Sequence, residues 1–160
     1  MASTISAGTL KVKIIEEIKL NGRDQGGIAS FNVASINEVS KRILTITTAE
    51  STIATFSAAV ASAGHYIAAD TRYIRFTNQD GTNFITLTFR NQDNDEVAIK
   101  LDAGQTLFWN GDNSNGMTSV FNATQDADAA YSTNFGSLTN IQARADTGSV
   151  DLEMYIANKA

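Results

Sequence analysis

The chain has 160 residues, enough for one domain whose core buries roughly two-thirds of the unfolded surface without covalent staples. It contains no cysteine, which excludes a disulfide framework, a thiol nucleophile and Cys-ligated zinc or iron–sulfur clusters. Twelve Lys+Arg against seventeen Asp+Glu give a net charge of −5, and the basic residues run from Lys11 to Lys159 without clustering, so neither nucleic acid nor an anionic membrane is an expected partner.

Hydrophobic residues make up 42% and charged residues only 18%, with Thr, Ser, Asn and Ala abundant. That balance suits pleated, half-covered strands joined by Asn/Gly/Asp turns, and it lacks the Leu, Glu and Lys of a helical bundle. Proline is absent, which nothing in the composition explains. Met1–Thr9 is a polar arm without the basic start and apolar run of a secretory signal, and nowhere do eighteen apolar residues follow one another, so neither export by that route nor a membrane-spanning helix is expected.

In Leu10–Leu20, Leu10, Val12, Ile14, Ile18 and Leu20 fall on one side and Lys11, Lys13, Glu17 and Lys19 on the other, interrupted at Glu16. Period-two alternation predicts a strand closed by Asn21-Gly22 and Gly26-Gly27, with a helix at Glu16-Glu17 the weaker fit. Phe31 and Val33 share a face in a strand over 28–36, and Val39, Ile43 and Thr45 share one over 39–47, with Asn37-Glu38 between. Thr52–Gly64, with five alanines beside Ile53, Phe56 and Val60, reads either as a short helix or as a strand entering a small-residue loop. Thr71–Asn78 and Phe84–Asn91 alternate on either side of Gln79-Asp80-Gly81-Thr82, and Asp-Gly between two such runs predicts a β-hairpin.

Strands follow at Val97–Leu101 and Thr106–Trp109. Asn110–Gly136 reads as a long ordered excursion pinned by Met117, Val120, Phe121, Tyr131 and Phe135. Leu138–Ala145 and Val150–Ile156 complete the set, joined by Asp146-Thr-Gly148. Eight to nine strands at such spacing, without intervening helices or internal repeats, predict an all-β fold, an antiparallel β-sandwich of jelly-roll-like type. Residues 10–160 form its single domain and 1–9 a flexible or docking arm.

Candidate chemistry is sparse. The lone histidine, His65, has no second His or Cys with which to hold zinc, and no Gly-x-Ser-x-Gly elbow occurs. Asp93, Asp95 and Glu96 sit in a turn, where acidic residues are expected for conformational reasons. Asp112-Asn113-Ser114-Asn115-Gly116, and separately Asp126 and Asp128, offer oxygen ligands, but neither fits the calcium-loop spacing. No catalytic residue, metal or cofactor is therefore assigned, and an enzyme is not expected. Tyr66, Tyr73, Tyr131, Tyr155 and above all Trp109, next to Asn110 and Asp112, could line a sugar site, so a lectin-like module is an alternative reading. The Thr- and Ser-rich, lightly charged outer faces, as at Thr86, Thr88 and Thr139, suit a surface that another subunit covers.

Leu10–Gly22, Thr71–Asn83, Leu101–Gln105 and Ile141–Val150 resemble the small β-sandwich virion proteins of tailed bacteriophages. The resemblance implies a non-enzymatic subunit, present in many copies, most simply a capsid decoration (cement) protein and often a trimer. Its partners would be the major capsid protein or other virion subunits, and its location the outside of the capsid; a tail, neck or fibre component is the alternative. Trp109, Asn110, Asp112, Phe121 and the N-terminal arm are the expected contacts.

Overall fold

Alternating apolar residues and turn-forming pairs fold the chain into strands throughout. The computed structural model describes residues 5–111, 113–118 and 136–159, and these carry twelve strands and no helix. In chain order they are β1 (Gly8–Glu16), β2 (Lys19–Leu20), β3 (Arg23–Asp24), β4 (Gly27–Ile46), β5 (Ser51–Ser57) and β6 (His65–Ile67), then β7 (Thr71–Asn78), β8 (Ile85–Asn91), β9 (Glu96–Leu101), β10 (Thr106–Asn110), β11 (Leu138–Ala145) and β12 (Val150–Lys159). Ten of them form two five-stranded sheets, ordered β1-β4-β12-β7-β10 and β6-β5-β11-β8-β9, while β2 and β3 pair as a separate piece. Every pairing is antiparallel except that of β5 with β6. The all-β expectation holds, with more strands than the eight or nine expected.

Both sheets feed one buried cluster. The first supplies Ile74, Phe76, Leu152, Met154 and Ile156, and the second Ile85, Leu87, Phe89, Ile141 and Ala143. Each large side chain sealed this way contributes about 1.5–3 kcal/mol relative to exposure. On its other side the first sheet carries a second cluster, in which Ile36, Tyr73 and Ala157 pack with Leu10, Val12, Phe31, Val33, Phe108 and Tyr155.

The Asp80-Gly81 hairpin does not form. β7 and β8 lie in different sheets, and Gly81 does not have the positive φ that a two-residue hairpin turn requires. Instead the Asp80 carboxylate accepts the backbone N–H groups of Thr82 and Asn83, both at 2.7 Å. Buried Asn78 donates to Asn83 O at 2.9 Å and Leu101 O at 3.1 Å. These bonds build a corner that carries the chain from one sheet to the other. The turn after Ala145 does the same for β11 and β12.

The strands expected over 28–36 and 39–47 are one bent strand, β4, of 20 residues. Its register shifts against β1 between Gly8 and Leu10 and against β12 between Asn158 and Lys159. Both shifts fall beside Ile36, where Ser35 adopts φ 62. Two bulges so close together bend a strand sharply, and a left-handed non-glycine residue costs about 1 kcal/mol or more that the surrounding pairing must offset. Val39, Ile43 and Thr45 do share a face, but it is the exposed one, while Ser40, Arg42, Leu44 and Ile46 turn towards the main core. Farther along, Ser51–Ser57 is strand rather than helix, and β1 begins at Gly8, within the segment read as a flexible or docking arm.

Met117 is fully buried and its N–H donates to Ala68 O at 2.7 Å, so this part of the long excursion is pinned as expected. Gly116 makes the approach possible: at φ 56, a Cβ there would lie 2.5 Å from Ala68 O.

Candidate interaction surface

The most distinctive surface is a hairpin arm made of β1 and the first half of β4. Its register pairs Lys11 with Asn32, Val12 with Phe31, Lys13 with Ser30 and Ile15 with Ile28. At roughly 3.4 Å per residue the paired ribbon runs about 30 Å. Its far end narrows to β2 and β3 around Asn21 and Gly22, whose φ values of 52 and 77 supply the positive angles of a tight hairpin turn.

The two faces of the ribbon have different environments. One row, Leu10 and Val12 with Phe31 and Val33, lies against the first sheet, where Phe31 sits 6.4 Å from both Tyr73 and Phe108 by ring centroid. Phe108 stands on β10, at the opposite edge of the sheet order from β1, so the bend at Ser35 and the curl of the sheet bring its two edges towards one another. Tyr155 meets Tyr73 edge-on at 5.9 Å. Beside this cluster Glu153, 12% exposed, is paired with Arg75 and with Lys41 at 3.2 Å. The hydrogen bond from Arg75, backed by Lys41, holds the Glu153 carboxyl below the usual carboxylate range. Burial raises the Tyr73 hydroxyl pKa, partly offset by Arg75.

The opposite row has no cover among the described residues. Ile15 is 56% exposed and its cross-strand partner Ile28 68%, and Ile18 and Leu20 nearer the tip are also exposed. Four of the nine exposed large hydrophobic residues among the described residues therefore fall on this short stretch. Lys11, Lys13, Lys19 and Arg23 flank them, in a chain whose net charge is negative.

Of the expected contact residues, Trp109 and Asn110 stand on β10 and not on this ribbon. Trp109 is engaged within the protein: its ring lies 4.8 Å from Phe89 and its Nε1–H points at Met117 Sδ at 3.3 Å. Asn110 is the exposed last residue of β10, and Asp112 and Phe121 lie outside the described residues, as do Val120, Asp126, Asp128, Tyr131 and Phe135. A scan of protein-family models and a search of curated proteins find no match to this chain. The surface must therefore be read from its own chemistry.

His65 is half-buried on β6 in register with Thr55, and no group of three or more His, Asp or Glu side chains converges among the described residues. The acidic turn is internally occupied, with Asn91 Oδ1 accepting the N–H groups of Asp93 and Asp95 and Glu96 paired with Arg90. Arg72, which sequence reasoning passed over, is buried and donates to Ala69 O at 2.5 Å and Ser114 O at 3.4 Å, tying the excursion to the start of β7. The exposed row of the arm was also missed. Ile15 breaks the alternation set by Ile14, and that doubled isoleucine was the available signal.

Proposed function

We propose that this chain is a non-enzymatic structural subunit of a phage virion, of the capsid decoration type, which joins its neighbours through the uncovered face of the hairpin arm. The observation that carries this reading is the cross-strand pair Ile15 and Ile28, exposed opposite one another on a ribbon whose other face is anchored. A rigid ribbon that presents apolar residues to water gains free energy when a partner covers them, and it loses little chain entropy in doing so. The architecture assumed is a jelly-roll-like sandwich, in keeping with a chain that repeatedly changes sheet around a shared core.

A second feature supports covering by neighbours. On the second sheet, Asn140 Oδ1 and Gln142 Oε1 are buried without a hydrogen-bond partner among the described residues. They stand on the side of β11 opposite Ile141 and Ala143, in register with Arg90 and Thr88. Each such acceptor costs about 1–3 kcal/mol while unpaired, and a turn of the half-buried Asn140 or Gln142 amide towards an adjoining subunit would relieve it.

Light scattering after size exclusion tests the reading. The expected species is a homotrimer, and Ile15→Asp combined with Ile28→Asp is expected to give a monomer whose stability lies within about 0.5 kcal/mol of the parent, since exposed sites contribute little to folding. A parent chain that is monomeric at every concentration, or a trimer that the double substitution leaves intact, overturns it.

A further inference from the structure

Arg42 stands apart from Arg72, Arg75 and Arg90. Arg75 and Arg90 pair with Glu153 and Glu96, and buried Arg72 is satisfied by the carbonyls of Ala69 and Ser114. Arg42 has no such completion. It lies in the core-facing row of β4, in register with Met154 between Ser40 and Leu44, and among the described residues no acidic group pairs with it. Its Nη2 donates to Tyr66 Oη at 2.9 Å, and that hydroxyl lies 3.1 Å from Ser40 Oγ. Its Nε is buried and has no hydrogen-bond partner among the described residues.

A half-buried guanidinium normally meets a carboxylate, because a cation drawn from water without a counter-charge is costly. Here it borders a cleft of about 440 Å³, within the range of small-molecule sites, whose lining includes Leu44, Ser51, Thr52, Ile53 and His65. Gly64, at φ 87, runs beside the guanidinium: a Cβ there would meet Arg42 Nη2 at 3.5 Å, an ordinary van der Waals contact. The lining thus combines one permanent cation, hydroxyl groups and branched aliphatic residues. A single positive charge neutralises a monoanion and leaves a dianion in excess. A planar carboxylate matches the donors of the guanidinium, and the aliphatic wall rewards an apolar tail.

We infer that the Arg42 cleft binds a small organic monocarboxylate, with its carboxylate on Arg42 and its apolar body along Leu44 and Ile53. This inference is independent of the assembly proposed above. Titration of the ¹⁵N-labelled full chain with hexanoate, hexanol and inorganic phosphate, followed by amide NMR, tests it. Hexanoate is expected to give saturable shifts at Gly64 and Thr52 and in the Arg42 side chain, binding at least about tenfold more tightly than hexanol or phosphate. Arg42→Gln should abolish these shifts, whereas Lys41→Gln, on the opposite side of the same strand, should retain them. If Arg42→Gln does not fold, Thr52→Glu supplies a tethered carboxylate and should block hexanoate by itself. The inference is overturned by the absence of saturable shifts up to about 50 mM hexanoate, by equal binding of hexanol or phosphate, or by undiminished binding after Arg42→Gln or Thr52→Glu.

Discussion

The hairpin arm and strand β12 follow the same alternation with opposite results. Along β12, Val150, Leu152, Met154 and Ile156 are sealed while Asp151 remains exposed and Glu153 and Tyr155 are half-buried. Along β1 the corresponding row, Leu10, Val12 and Ile14, is only half-buried, and Ile15 on the other row is exposed. β12 has a strand on each side and a second sheet contributing to its cluster, whereas β1 is an edge strand beside β4 alone. Alternation therefore decides which way a side chain points, and the number of neighbouring layers decides how far it is buried.

The comparison can be broken most severely from the body. Phe89→Ala removes a ring that packs on both Phe76 and Trp109, and a loss of about 3–5 kcal/mol is expected by chemical denaturation. The arm should respond differently. Phe31→Ala takes away its contacts with Tyr73 and Phe108, with an expected global loss of only about 1–2 kcal/mol, as for a partly covered side chain. Hydrogen exchange should sharpen the contrast, with amides of β1 losing protection while those of β12 keep theirs. Equal loss of protection in both would show that arm and body unfold as one unit.

The smallest effect concerns the ion pairs beside the arm. Since the folded state holds the Glu153 carboxyl below its ordinary range, its pairing with Arg75 and Lys41 stabilises fully at neutral pH and is lost as the pH falls through about 4 and below. Glu153→Gln should cost about 1 kcal/mol at pH 7 and reduce the acid-dependent part of the unfolding curve. An unchanged acid limb would remove Glu153 from the account.

Much of the fold was legible because two-sided alternation is a local property: β7, β8, β11 and β12 appear in the sequence close to where they occur. Partner choice was not local. Asp80-Gly81 serves equally for a hairpin and for a carboxylate-capped corner, and the choice depends partly on Asn78 reaching Leu101 O, 23 residues away. The same limit applied to Arg42. Alternation puts Val39, Ile43 and Thr45 on one face without saying which face is inside, and the neighbouring strands put the row of Ser40, Arg42 and Leu44 inside. Trp109 was singled out as a contact or sugar-lining residue, and its engagement with Phe89 and Met117 inside the protein could not be read from spacing.

The bend beside Ile36 makes the arm sensitive to length in a way that no single contact does. Side-chain direction in a strand has a period of two, so deleting one residue between Ala34 and Asn37 while the flanking pairings persist would invert the ribbon. Phe31 and Val33 would then turn to solvent, and Asn32, opposite Lys11, would face the aromatic cluster. The parity of those few residues thus works as a switch in the sequence itself: an even change in length preserves which side of the ribbon is greasy, and an odd change turns it inside out.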